Sequence, residues 1–249
     1  MPSHRTGLGL FSIALAVACG APAAASAATV GTAAGGGNST TTYTAVFGVD
    51  NQLTLDPFGA TNDFRFSDGA GTISASPSCV PLGASAVCPR PSATATRVVE
   101  INLRNGDDTA DLTSPANTIT RIQLGNGADI MTADTAEGVF AEGEAGNDIL
   151  TGGEPLNPTN FTDTLRGGFG DDVLNGRGGK DTLDGGPNRD RLTGGTGRDI
   201  INGGLNADTI FAEDGEIDTI DCGNEVFDGT DVAHIDEGLD VTQGCELEL

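Results

Sequence analysis

Six aspartates, Asp163, Asp172, Asp181, Asp190, Asp199 and Asp208, follow one another at intervals of nine residues. Two positions beyond each stands an aliphatic residue: Leu165, Leu174, Leu183, Leu192, Ile201 and Ile210. Glycine-rich runs such as Gly167-Gly168-Phe169-Gly170 and Gly194-Gly195-Thr196-Gly197 precede the aspartates, so the unit reads G-G-x-G-x-D-x-U-x, with U aliphatic. Self-similarity at so short a period means one small unit stacked on copies of itself, not a mixed globular core. Glycine reaches positive φ at little steric cost, so the run turns tightly and aims its carbonyls inward. Where the last glycine is replaced, Asn188 or Asn206 takes its place, the residue type that next best tolerates the left-handed region. The x-U-x triplet is a short strand whose central side chain points one way and its neighbours the other, which accounts for Thr182, Thr209, Asn175 and Asn202 beside the aliphatics.

Composition limits what such a stack can bury. The 249-residue chain has 38 glycines, 4% aromatic residues and no tryptophan, so any core is thin and aliphatic. Its 36 acidic residues outnumber 12 basic ones, for a net charge of -24. That field repels phosphate backbones and anionic lipid head groups, so no nucleic-acid partner is expected. It also resists compaction without counterions, and carboxylate oxygens suit hard divalent cations such as calcium.

Residues 124–221 resemble the hemolysin-type, or repeats-in-toxin (RTX), calcium-binding nonapeptide-repeat family. The whole chain is similar to small exported bacterial proteins that carry such repeats without a catalytic domain. The resemblance implies an all-β fold: a parallel β-roll, or β-helix solenoid, in which two nonapeptides make one coil. Positions eighteen apart then stack, Asp172 over Asp190, Asp181 over Asp199 and Asp190 over Asp208. Calcium would sit between successive loops, held by aspartate carboxylates and backbone carbonyls. The expected metal ligands are Asp148, Asp163, Asp172, Asp181, Asp190, Asp199, Asp208 and Asp218. Stacked carboxylates repel without the ion and the aliphatic column is narrow, so folding is expected to depend on calcium.

The repeat decays in both directions. Upstream, residues 143–150 and 124–131 fit it, and residues 104–110 are a weaker copy. The fifteen residues from Asp148 to Asp163 read as one nonapeptide plus a six-residue insertion around 154–161. After Asp208 the register slips by one to Asp218 and Ile220. The roll is therefore assigned to residues 101–221 and a C-terminal cap to residues 222–249, since a terminal coil must cover its apolar end and its strand edges. Residues 28–100 form a β-rich N-terminal segment, with alternating runs at 43–47, 53–55, 64–66 and 98–103.

Residues 1–27 read as a secretory signal: His4 and Arg5, an apolar stretch over 8–18, then Ala25-Ser26-Ala27 at the cleavage site. The chain is expected to be secreted and extracellular, with no transmembrane segment in its mature form. The alternative is a lipid anchor on Cys19, in a lipobox-like Leu15-Ala16-Val17-Ala18-Cys19. Cys79, Cys88, Cys222 and Cys245 remain, and they permit three pairings. Pairing Cys79 with Cys88 and Cys222 with Cys245 is favoured because each pair lies close in sequence. Zinc fits poorly, because there is no C-x-x-C spacing, His4 lies in the signal and His234 stands alone.

No part of the chain reads as an enzyme active site. Neither G-x-S-x-G nor H-E-x-x-H occurs, and His234 is expected on the surface of the cap. Adjacent acids such as Asp107-Asp108 and Asp171-Asp172 are what this composition produces by itself. Lys180, Arg189 and Arg198, at the fifth position of their repeats, are expected to face solvent and temper the field. The function expected is calcium binding in a structural or surface-associated role, with an unspecified cell-surface or matrix partner. An adhesin or ice-binding solenoid would need a regular outer array, whereas the flanking positions mix Thr, Asn, Asp, Arg and Phe. A polysaccharide-acting β-helix enzyme would need Asp, Arg or Lys clustered on a groove, and the sequence reveals no such cluster.

Overall fold

The computed structural model describes residues 28–35, 38–45, 50–58, 63–68, 73–75, 80–81, 85–88, 97–114, 118–135, 138–154, 162–223 and 229–249. The expected signal, the lipobox-like Cys19, most of the insertion and the Cys79–Cys88 bridge fall outside the described residues.

The N-terminal strands are β1 (Ala28–Gly35), β2 (Asn38–Thr44), β3 (Gln52–Phe58), β4 (Asp63–Asp68), β5 (Ile73–Ala75), β6 (Val80–Pro81) and β7 (Ser85–Cys88). Next come β8 (Arg97–Asn102), β9 (Thr109–Ser114), β10 (Thr118–Asn126), β11 (Ile130–Thr135), β12 (Val139–Ala145), β13 (Ile149–Thr151), β14 (Thr164–Phe169) and β15 (Val173–Gly179). The series ends with β16 (Thr182–Pro187), β17 (Arg191–Gly197), β18 (Ile200–Leu205), β19 (Thr209–Phe211), β20 (Thr219–Asp221), β21 (Val232–His234), β22 (Val241–Gln243) and β23 (Leu247–Glu248).

From β8 onward, even-numbered strands join one sheet and odd-numbered strands the other, and every neighbour is parallel. This is the right consequence of the nonapeptide: each repeat supplies one strand and one turn, so two repeats bring the chain back to the same sheet. Leu165 pairs with Leu183 and Leu183 with Ile201 in one sheet, while Leu174 pairs with Leu192 and Leu192 with Ile210 in the other. These six residues are at most 1% exposed and face one another across the roll. The core is two aliphatic columns, as the shortage of aromatic residues demanded.

Both ends extend the two sheets. Strands β2 and β3 continue them upstream in parallel pairing, and beyond them β1 pairs antiparallel with β2, β4 with β3 and β7, and β6 with β7, while β5 pairs parallel with β1. Tyr43, Leu53 and Leu55 fill the wider interior there. At the other end, β21, β22 and β23, in the segment expected as a cap, add further parallel strands to the two sheets. A disulfide joins Cys222 to Cys245 with their Cα atoms 5.0 Å apart, the pairing favoured from sequence. It closes a loop of 23 residues, so replacing both cysteines by serine is expected to remove about 3 kcal/mol in the chain-entropy model. Hydrogen exchange should speed up first in β20 to β23, and equal protection in both forms would refute that placement of the effect.

Candidate metal centre

The geometry that recurs from coil to coil lies at the two turns. All eight aspartates expected as ligands are buried, none more than 4% exposed. They form two ladders, one along each edge of the roll. On the first edge the backbone N–H of Asp148 donates to Oδ1 of Asp172 at 2.8 Å, Asp172 donates to Asp190 at 2.8 Å, and Asp190 to Asp208 at 2.8 Å. On the second, Asp163 donates to Asp181, Asp181 to Asp199 and Asp199 to Asp218, each at 2.8 Å. Asp172 over Asp190, Asp181 over Asp199 and Asp190 over Asp208 are the stacks expected, at a separation of 18 residues. The Asp148–Asp172 step spans 24 residues, six more than a regular coil, so the insertion leaves the ladder in register.

The ladders run further than the glycine pattern does. The first begins with Asn51 donating to Asp108, continues through Asp129, and ends with Asp208 donating to Asp231 and Asp231 to Oε2 of Glu246. The second ends with Asp218 donating to Asp240. The expected ligand set left out Asp108, Asp129, Asp231, Asp240 and Glu246, although residues 124–131 fit the repeat. All four aspartates carry a signal of their own, a β-branched residue next in sequence: Asp108-Thr109, Asp129-Ile130, Asp231-Val232 and Asp240-Val241.

Each carboxylate thus spends one oxygen on its neighbour's N–H. The other oxygen, Oδ2, of Asp129, Asp148, Asp172, Asp181, Asp190, Asp199 and Asp218 is buried without a hydrogen-bond partner. Asp163 differs, because its Oδ1 accepts from Val139 N–H and its Oδ2 from Gly153 N–H at 2.8 Å. What surrounds the Oδ2 atoms explains the first glycine of the motif. A Cβ on Gly176 would lie 2.6 Å from Asp181 Oδ2 and 2.6 Å from the carbonyl oxygen of Gly194 in the next coil. Gly176 is not in the left-handed region, so here glycine supplies space and not a backbone angle. Carboxylate and carbonyl oxygens converge on that space. The positive φ expected at the fourth position is present in Asn188 at 88° and Asn206 at 81°.

Acceptors facing acceptors in a buried site make ionisation unfavourable. Burial pushes the carboxyls of Asp181 and Asp190 up to about 8, those of Asp129 and Asp218 to about 7, and those of Asp148, Asp172 and Asp199 to about 6. Burial also raises Asp163, against two backbone N–H groups that oppose the shift. Neighbouring ladder carboxylates add to the rise at several rungs, as Asp172 and Asp208 do for Asp190. A bound cation relieves both costs at once, and oxygen donors of this kind fit calcium. Among the described residues no three His, Cys, Asp or Glu side chains converge on one point. A cation in the ladder would therefore take most of its six to eight oxygens from backbone carbonyls and water.

The model of the RTX calcium-binding nonapeptide repeat matches residues 140–154, 159–192 and 184–216. Within those stretches, a minority of the chain, the coils are similar to RTX repeats. No curated protein and no solved structure matches the chain. The RTX match begins in β12 and ends after β19, while the same parallel coils and aspartate rungs continue outside it on both sides. Lys180, Arg189 and Arg198 stand exposed beside the RTX turns. His234 lies on the outer face of β21, its ring stacked on Phe211 with centroids 4.6 Å apart, and Arg191 covers Phe211 at 4.0 Å. Among the described residues no helix is long and apolar enough to cross a membrane.

Proposed function

We propose that the chain is an exported calcium-binding solenoid whose RTX coils are completed by Ca2+ and whose role is structural or surface-associated. The ions lie between successive turns, held by the carboxylates of Asp148, Asp172, Asp181, Asp190, Asp199, Asp208 and Asp218 together with backbone carbonyls. Asp163 belongs to the same set, with the weakest claim on a cation because N–H groups engage both its oxygens. Residues 1–27 act as a removable export signal, residues 28–100 and 222–249 flank the roll, and the mature chain works outside the cell. What supports this reading is the line of buried Oδ2 atoms that no donor reaches. Bound calcium supplies the positive charge that lets these carboxylates ionise in place.

Two variants of one rung test it. Asp190→Ala removes both oxygens, leaving the buried N–H of Asp172 without its acceptor, at a cost of about 1–3 kcal/mol with or without metal. Asp190→Asn keeps an acceptor for that N–H but replaces Oδ2 with an amide donor and removes the charge. Calorimetric titration should then show fewer calcium ions bound by both variants, with the metal-free form of Asp190→Asn melting at or above the wild type. Unchanged calcium stoichiometry in Asp190→Asn would sink the proposal for this rung.

A further inference from the structure

The outer face of the roll carries a second feature, unrelated to the aspartate ladders. Across β2, β8, β10 and β12 a groove of about 710 Å3 opens to solvent, within the usual size range of ligand sites, ~300–1,000 Å3. Its floor and walls come from columns of side chains in register, Thr42 beside Glu100 and Glu100 beside Arg121, then Arg121 beside Phe140. The next column holds Asn102, Gln123 and Glu142, already linked by hydrogen bonds of 3.1 Å and 3.4 Å that fix their orientation. Four strands at ~4.8 Å spacing make the trough about 14 Å long across the sheet.

One observation separates this groove from a routine sheet surface. Arg104 and Glu144 sit on its rim in the left-handed region, at φ 75° and 76°, where later coils of the same sheet place Gly168, Gly186 and Gly204. Gly125 lies between them, with no room for a Cβ against the Arg104 carbonyl. A non-glycine residue in that conformation costs ~1–2 kcal/mol. Neither side chain recovers it, because among the described residues no hydrogen bond or ion pair engages the Arg104 guanidinium or the Glu144 carboxylate. Arg177 shares the conformation on the opposite sheet, outside the groove. Retained strain at charged residues beside a cavity points to a ligand.

The chemistry narrows the ligand. Donors (Arg104, Arg121, the amides of Asn102 and Gln123) alternate with acceptors (Glu100, Glu142, Glu144). A ligand whose every group both donates and accepts matches such an array, and hydroxyl groups do so. The net charge of -24 holds polyanions off, and the two guanidinium groups offset two of the three glutamates of the groove. Phe140, with Arg166 packed 5.4 Å from its ring centroid, adds an apolar surface. We infer that this groove binds a neutral oligosaccharide or polysaccharide segment, a site independent of calcium in the turns.

The test uses the full chain with calcium, titrated calorimetrically with soluble β-glucan, xylan and galactomannan, and with polygalacturonate as the charged arm. At least one neutral glycan should bind, and Arg121→Ala or Glu100→Gln should weaken it about tenfold, as expected for the loss of one charge-assisted hydrogen bond. Arg189→Ala, at an exposed turn remote from the groove, should leave binding unchanged, and all three variants should keep the wild-type melting point. Absence of neutral-glycan binding at millimolar sugar overturns the inference, as does preference for polygalacturonate or indifference to both groove variants. Because calcium stoichiometry is read separately, failure here leaves the calcium reading standing.

Discussion

Stripped of divalent ions at neutral pH, the chain is expected to lose its β-sheet circular-dichroism signal, and to regain it as the solution is acidified toward pH 4. The ladder carboxyls have folded-state values raised above the ordinary 3.8. A group shifted in this direction contributes stability that is complete below its unfolded value and is lost as pH rises through its folded value. The loss therefore begins near pH 4 and runs through about 6 for Asp148 and Asp172, about 7 for Asp218 and about 8 for Asp181 and Asp190. Each proton released in that window removes ~1.4 kcal/mol per pH unit, and several carboxyls acting together exceed the roughly 5–15 kcal/mol that holds an ordinary domain folded. Because the rungs interact, the transition should be broad and not assignable to single residues. Calcium reverses the slope, since it competes with the same protons, so its apparent affinity should rise across the window. Melting curves in chelator at a series of pH values provide the measurement. A melting point in chelator that stays level or climbs from pH 4 to 8 would show that the buried carboxyls do not govern the metal-free fold.

Gly176→Ala should destabilise the roll and its calcium site together. The added Cβ would meet both Asp181 Oδ2 and the Gly194 carbonyl at 2.6 Å, so the carboxylate or the next coil must move. Overpacking of this kind costs about 1–3 kcal/mol, toward the upper end where one neighbour is a backbone carbonyl that cannot turn aside. Displacing Asp181 should also remove calcium from that rung. Gly238→Ala is the control: its φ of 79° is left-handed, but nothing lies within 4 Å of the new Cβ, so only the conformational cost of ~1–2 kcal/mol remains. Chemical denaturation of the calcium-loaded proteins should show the larger loss for Gly176→Ala, and equal destabilisation would show that the space beside Asp181 is not what the first glycine protects.

The coil, its two-strand composition and the stacking of Asp172 on Asp190 were legible because nine residues is both the chemical and the geometric period. Asn188 and Asn206 even disclosed which turn position needs a positive φ. The reason for the first glycine was not legible, since the pressure on Gly176 comes from Asp181 and from Gly194 in the next coil. Asp231 and Glu246 escaped because coil length varies there, 23 and then 15 residues, and a fixed-period reading discards rungs that arrive late or early. The groove escaped for a related reason: Glu100, Arg121 and Phe140 are far apart in the chain and meet only through strand register.

The hydrogen bonds of each ladder all point one way, with the earlier coil giving its aspartate N–H to the carboxylate of the coil after it. A coil deprived of its successor is left with an unpaired N–H at its open end, whereas one deprived of its predecessor is left with an unpaired carboxylate oxygen. The two ends of the stack are therefore chemically unlike, one ending in backbone donors and the other in carboxylate oxygens.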